Sequence, residues 1–303
     1  MSEVTNPRAQ SVGADVGLEH VVCALCRADD SVVVLRGGDV RRGVPGGFEI
    51  VRCRRCRLAY VNPRPDPTSI EFYYPADYAP HRPGPPSFAE AVYYRLFRSL
   101  PEPPGARVLD VGCGGGRYLL FLRERGYDVA GVEPNETAAR ALRDEFDLEV
   151  HTGQLCDAPL EPGSFDVVTF WWVLEHTHDP ADALAVAHRL LRPDGLVIVA
   201  LQNFDSLARH IFGAHWHHID IPGHLYHFAP DTLTAMLEKC GFAVSRVRQD
   251  PIAKDFAPSL GYRLGAPGSL DSALPNLLGL PFDGLAWALR RSGLMTAYAR
   301  RNP

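Results

Sequence analysis

The chain is nearly without lysine: of its 31 basic residues, only Lys239 and Lys254 are not arginine. It also has no apolar run near the ~18 residues that a membrane helix needs; the best, around FDVVTFWWVL, is about half that. The first twenty residues show neither the charged start nor the apolar stretch of a secretory signal. Internal repeats are missing too. These absences point to a soluble, cytoplasmic protein with no membrane partner. Apolar residues at 46% and charged residues at 22% fall in the ordinary globular range, which excludes disorder, collagen and coiled coil as the main state. A net charge of −5 offers no bulk attraction to nucleic acid, so no nucleic-acid partner is expected. The charge is uneven, however. Between Val21 and Asp66, nine arginines face five acids.

Seven cysteines are present, and four of them are paired by spacing: Cys23/Cys26 and Cys53/Cys56, with 26 residues between the pairs. A reducing compartment disfavours disulfides, whereas two close-spaced thiolate pairs supply four ligands to a tetrahedral Zn²⁺. The intervening SVVVL, RGGDVRRGVPGG and FEIVRC read as a hairpin. A structural zinc on Cys23, Cys26, Cys53 and Cys56 is therefore expected. Zinc knuckles often place glycine after the second cysteine to allow a left-handed backbone, and here Arg27 and Arg57 stand there.

Four stretches follow one another along the 303 residues. Residues 1–20 read as a flexible tail and 21–66 as a zinc-ribbon-like module. Residues 67–104 read as a connector and a helix over the active site, with Tyr73, Tyr74 and Tyr78 expected to lie back across the domain that follows. The helix carries a capping box, Ser87 with Glu90 three residues on. Residues 105–303 form the last domain. There, RVLDVG, YDVAGVE, LEVHTG, FDVVTFWW, LVIVAL and FAVSRVRQ alternate with helical segments, and LMTAYAR reads as a final antiparallel strand. Apolar strands alternating with helices define an α/β fold: a Rossmann-like, doubly wound, mostly parallel sheet of seven strands. Ligands of such sheets sit beyond the carboxyl ends of the strands.

The loop after the first of those strands, VLDVGCGGGRYLLFL, places Gly112, Gly114 and Gly116 between a strand and a helix. The spacing decides the ligand. A dinucleotide fingerprint starting at Gly112 needs glycine at position 117, where Arg117 stands. The run is instead D-x-G-x-G-x-G from Asp110. Glu133 closes the second strand, where a carboxylate can accept from both hydroxyls of a ribose.

At these residues the sequence resembles the class I S-adenosylmethionine-dependent methyltransferases, closely over roughly residues 106–250. The resemblance implies that Asp110 lies near the methionine amino group, that Glu133 binds the ribose, and that Gln154 and Leu155 lie beside the adenine. It also places FWWVLEHTHDP beneath the cofactor, with Trp171 and Trp172 as pocket walls. The cysteine module, the tyrosine-rich YYPADY and the segment HWHHIDIPGHLYHFAPDTL are similar to a bacterial small-molecule subgroup with an N-terminal zinc-ribbon-like segment. The core is similar to the quinone-precursor O-methyltransferases. Members often carry Arg where Gly223 stands.

Transfer from a sulfonium needs an in-line nucleophile and, for a hydroxyl acceptor, a base. Residues 210–227 hold six of the twelve histidines, in the stretch after the fifth strand. His224 is the expected base, with His227 and His176 as further candidates. The expected function is methyl transfer from S-adenosylmethionine to an oxygen of a small molecule, such as a sugar, phenol or secondary metabolite. Two other classes stay open: a modifier of RNA or protein docked by Arg52, Arg54, Arg55 and Arg57, and a non-catalytic zinc interaction protein that keeps the fold. A homo-oligomer is compatible with the sequence.

Overall fold

A computed structural model describes residues 16–74 and 81–302. In chain order, β1 (Leu18–Glu19), β2 (Ser31–Gly37), β3 (Phe48–Cys53), β4 (Ala59–Val61) and β5 (Arg64–Pro65) come first. Then α1 (Phe88–Phe97), β6 (Arg107–Val111), α2 (Arg117–Arg123), β7 (Asp128–Glu133), α3 (Glu136–Phe146), β8 (Glu149–Thr152) and β9 (Phe165–Trp171) follow. The chain continues with α4 (Pro180–Leu190), β10 (Leu191–Gln202), α5 (Leu207–Phe212), β11 (Tyr226–His227), α6 (Pro230–Lys239) and β12 (Phe242–Gln249). It closes with α7 (Phe256–Arg263), α8 (Ala273–Ala288) and β13 (Leu294–Arg301).

Contacts divide the chain into two compact units, both discontinuous. The cysteine unit runs to Tyr74 and adds Gln202–Thr232 and Gln249–Leu294; the sheet unit holds the chain up to Leu201 together with Leu233–Arg248 and the segment from Met295.

The sheet unit carries seven strands in the order β12-β13-β10-β9-β6-β7-β8. The pairs β10/β9, β9/β6, β6/β7 and β7/β8 are parallel, and the sheet is mostly parallel with an antiparallel end, as the alternation of strands and helices requires. Strand order reverses at β6/β9, which makes that junction the crevice for a ligand. The punctuation acts as its chemistry dictates. Asp179 caps α4 by accepting from the N–H groups of Ala181 and Asp182, with Pro180 at the first helical position. Ser87 and Glu90 complete the capping box of α1. The core of this unit is built from β6, α2, β9 and β10, with Tyr94 of α1 and Tyr298 of β13.

The cysteine unit holds a four-stranded sheet in the order β11-β4-β3-β2. β11 comes from the histidine-rich segment, and Tyr226 and His227 pair with Tyr60 and Ala59. The core joins Phe48, Ile50 and Tyr73 to Phe204, Phe212 and Trp216. Tyr73 closes a short 3₁₀ turn, Ile70–Tyr73, and sets its ring edge-on to Phe48 at 5.5 Å. Tyr74 donates from its hydroxyl to the carbonyl of Gly223. Tyr78 lies outside the described residues.

Candidate functional site

The glycine loop is shaped by its backbone. Gly112 and Gly116 adopt φ of 63° and 73°, the left-handed region that favours glycine. Space is equally short: a Cβ on Gly112 would stand 2.6 Å from Val173, and one on Gly116 2.5 Å from Leu142. Gly116 then serves as N-cap of α2. Gly114 lies between them at φ 55°, and its N–H donates to Glu133 Oε2 at 2.7 Å. The other oxygen of Glu133 accepts from the N–H of Asn135 at 2.8 Å, and His81 Nε2 lies 3.7 Å from it. The acid at the end of β7 thus fastens the loop after β6, a task that its position in the sequence does not reveal.

Asp110 is buried in β6 and accepts from Thr169 Oγ1 at 2.6 Å. Burial pushes its carboxyl up to about 7, opposed by the Thr169 bond and by the Arg98 guanidinium. Among the described residues no cation pairs directly with this acid; Arg98 acts on it only through its field. Arg98 follows α1 and is itself buried, with no partner on its Nε. Its guanidinium lies 4.4 Å from the ring centre of Trp171 and 4.3 Å from that of Trp172. Trp171 belongs to the core, edge-on to Tyr118 at 5.3 Å. Trp172 is the exposed member of the pair and stands at φ 58°, a strained conformation for a bulky residue. The sequence reading did not single out Arg98.

The remaining candidates of this unit take different positions. Gln154 is exposed and Leu155 buried, at the start of a 3₁₀ turn after β8, and the N–H of Gly153 donates to the carbonyl of Glu133. The loops after β6, β7 and β8 are therefore bonded to one another. His176 is half-buried in the turn Leu174–His176 after β9.

In the cysteine unit the four predicted ligands converge. Their Sγ atoms lie within 4.8 Å of one another, with Cys23–Cys56 at 3.3 Å and Cys26–Cys53 at 3.5 Å. All four are free thiols rather than disulfides. The two pairs are built alike. The carbonyls of Cys23 and Cys53 accept from the N–H groups of Arg27 and Arg57, and these arginines take φ of 59° and 68°. The knuckle turn forms without its usual glycine. A closed set of four sulfurs at this spacing suits a tetrahedral ion with metal–sulfur bonds of about 2.3 Å.

His224 and His227 also belong to the cysteine unit, with ring centres 6.4 Å apart. His224 Nδ1 donates to the carbonyl of His218 at 3.0 Å, which leaves Nε2 as the basic nitrogen, 3.9 Å from Asp220 Oδ2. Asp220 is held by a two-pronged contact from Arg42 at 2.8 and 3.2 Å. His227 is buried with no partner on either ring nitrogen, and burial pushes it down to about 3.

The family described as "Methyltransferase domain" matches residues 87–247. The chain belongs to this family of class I S-adenosylmethionine-dependent methyltransferases. A ubiquinone biosynthesis O-methyltransferase from Pseudomonas aeruginosa is 37% identical over 105 residues, covering 33% of this chain and 45% of that protein. The same-named protein from Burkholderia pseudomallei is 30% identical over 174 residues, covering 52% of this chain and 74% of it. The match thus spans under half of the Pseudomonas relative's length. A solved S-adenosylmethionine-dependent methyltransferase from Archaeoglobus fulgidus is similar in fold, with a TM-score of 0.50, 24% identity, and coverage of 70% of this chain and 94% of that one. Among the described residues, no helix is long and apolar enough to cross a membrane.

Proposed function

We propose that the chain is an enzyme that transfers a methyl group from S-adenosylmethionine to an oxygen of a small-molecule acceptor. One observation carries the reading: the glycine loop after β6 is clamped by the Glu133 carboxylate, beside the buried acid Asp110. The residues present suit the cofactor. Asp110 would take its ammonium group, and Arg98, whose Nε is buried without a partner, would take its carboxylate. Glu133 keeps lone pairs for ribose hydroxyls beyond those used by Gly114 and Asn135. Leu155 would pack on the adenine and Gln154 would accept from its amine. Trp172 supplies the exposed wall and Trp171 supports it from the core.

When bound, S-adenosylmethionine supplies an electrophilic methyl group on a sulfonium. The protein then has to aim the acceptor and remove a proton. We assign that proton to His224 Nε2, the nitrogen left basic by the Nδ1 bond to His218. Asp220 would stabilise the imidazolium. His176 is the second candidate; burial leaves His227 a weak base. The four cysteines would hold one Zn²⁺ whose coordination is complete, so it folds the module and takes no part in transfer. The O-methyltransferase relatives favour a small acceptor, and Arg54 is turned toward Asp30 at 3.5 Å rather than left for a macromolecule. The test is transfer of a labelled methyl group to fractionated metabolites. Label in a low-mass product supports the reading. Label only in RNA or protein, or in nothing, contradicts it.

A further inference from the structure

Three arginines of the cysteine unit meet at one turn, and no role described so far uses them. Phe204 and Asp205 form the turn between β10 and α5. Arg52 of β3 and Arg209 of α5 both lie against the Phe204 ring, at 5.7 and 4.2 Å from its centre. Arg209 Nε donates to the carbonyl of Phe204 and Arg291 Nε to that of Asp205, at 3.0 and 3.1 Å. The guanidinium of Arg291 also rests on the imidazole of His210 at 3.1 Å.

Charge balance is what sets this turn apart. Among the described residues, the one carboxylate paired with any of the three is Asp205, and it stands 3.9 Å from Arg52 Nη2 with its side chain 40% exposed. Arg52 Nε is buried without a hydrogen-bond partner. The backbone bonds made by Arg209 and Arg291 use Nε, and Arg291 Nη2 lies against the His210 ring. Holding three like charges together without compensation is unfavourable unless an anion joins them. One carboxylate is already present, so the excess is two positive charges, which matches a dianion. The forked geometry of guanidinium favours phosphate oxygens. Because the three groups converge on a single turn and do not form a stripe, they suit one compact anion better than a nucleic-acid backbone.

We propose that Arg52, Arg209 and Arg291 form a binding site for a phosphate or diphosphate group, and that this group is the anionic handle of the methyl acceptor. The second clause rests on the small-molecule function proposed above; the first stands without it. The acceptor class is then a phosphorylated small molecule, such as a nucleoside diphosphate conjugate, whose anionic group lies apart from the oxygen that is methylated.

The probes are inorganic pyrophosphate and inorganic phosphate, titrated calorimetrically into the full chain at low ionic strength. Pyrophosphate should bind, and Arg52→Gln and Arg209→Gln should each weaken it by about tenfold or more. Arg209→Lys should fall between, since it keeps the charge and loses the fork. Arg54→Gln should leave the affinity unchanged. Arg52→Gln breaks no buried bond, so it keeps the test valid should Arg209→Gln fail to fold. Tighter binding of phosphate than of pyrophosphate marks a monoester handle. No binding of either probe, equal affinity in Arg52→Gln, or arginine-dependent binding of oligouridylate in place of pyrophosphate overturns the proposal. Affinity for S-adenosylmethionine, measured on the same samples, reports on the cofactor site separately and should not change in any of these variants.

Discussion

Burial shifts an acid of the sheet unit and two imidazoles of the cysteine unit in opposite directions. In the sheet unit a carboxyl, Asp110, is pushed up to about 7. In the cysteine unit two imidazoles, His217 and His227, are pushed down to about 2 and 3. Burial is the leading cause in every case, because it disfavours whichever form is charged. The difference lies in what each group awaits. Asp110 stands beside a glycine loop, and a cationic ligand would restore its charge. His217 and His227 are neutral packing groups: the first stacks on Tyr262, and the second lies against Phe204. A perturbed group therefore marks a ligand site only where the neighbouring backbone also leaves room for a ligand. That contrast is open to several experiments.

The largest effect should come from the Zn²⁺ proposed for the cysteine unit. Cys53→Ser, or removal of zinc by a chelator, should abolish one equivalent of bound metal and unfold the module, a loss on the order of 10 kcal/mol. Limited proteolysis should then cut between residues 21 and 66 while the sheet unit persists. A metal-free protein with unchanged protection would show that the cysteines are dispensable.

Next in size is His224→Ala, expected to lower kcat by ~10²–10⁴ without changing cofactor affinity. His227→Phe should leave kcat unaltered, which separates two histidines that stand three residues apart. Equal losses in both variants would mean that the loop, not a base, is being damaged.

Glu133→Ala should weaken cofactor binding by ~1.5–3 kcal/mol, because it removes a charged hydrogen-bond acceptor and frees the Gly114 N–H. Hydrogen exchange at Gly114 should quicken in the variant. Slow exchange there would mean that Glu133 does not hold the loop.

The smallest effects concern pH, and they have opposite signs at Asp110 and His227. Asp110 is protonated in the ligand-free fold up to about 7, whereas the unfolded chain loses that proton near 3.8. Its contribution to stability is therefore present below pH 3.8 and is lost as pH rises toward 7. His227 stays neutral down to about 3, while the unfolded chain takes up a proton near 6.5. Its contribution is present above pH 6.5 and is lost as pH falls. Asp283, pushed up to about 6 by burial and Asp255, works with the sign of Asp110 inside the cysteine unit, so variants must be compared with the parent and not whole proteins with each other. His227→Phe should gain ~1.4 kcal/mol on the parent for each pH unit below 6.5, and Asp110→Asn a similar amount for each unit between 4 and 7. Denaturant titrations at a series of pH values give both slopes. Parallel curves would remove the electrostatic account of both sites.

Much of the sheet unit was legible in the sequence because its strands are near-continuous apolar runs and its helices carry explicit caps. The seven strands, the capping box at Ser87 and the stop at Gly241 all lie where the residues indicate. β10 begins five residues earlier than the apolar run, at Leu191, since backbone pairing with Phe165 extends it through polar residues. The region after Asp250 was far less legible. α7 and all of α8 before Leu285 were missed; α8 contains Pro281 and two glycines and leaves Leu274, Leu277 and Leu278 exposed, so it lacks a polar face to mark its period. The joining of β11 to the cysteine hairpin was also out of reach, because pairing across more than 160 residues leaves no local signal. Arg98 was missed for the same reason: its partners are rings brought together only by the fold.

The most direct test of the central claim is calorimetric titration of S-adenosylmethionine into the wild type and Asp110→Asn from pH 5.5 to 8. The cofactor should bind one to one in the wild type. Its affinity should rise about tenfold per pH unit until it levels off near 7, as the carboxyl that receives the ammonium ionises. Asp110→Asn should bind far more weakly, with no such rise. Binding of NAD in preference to S-adenosylmethionine, or an affinity independent of both pH and Asp110, would contradict the assignment of this loop as the cofactor site.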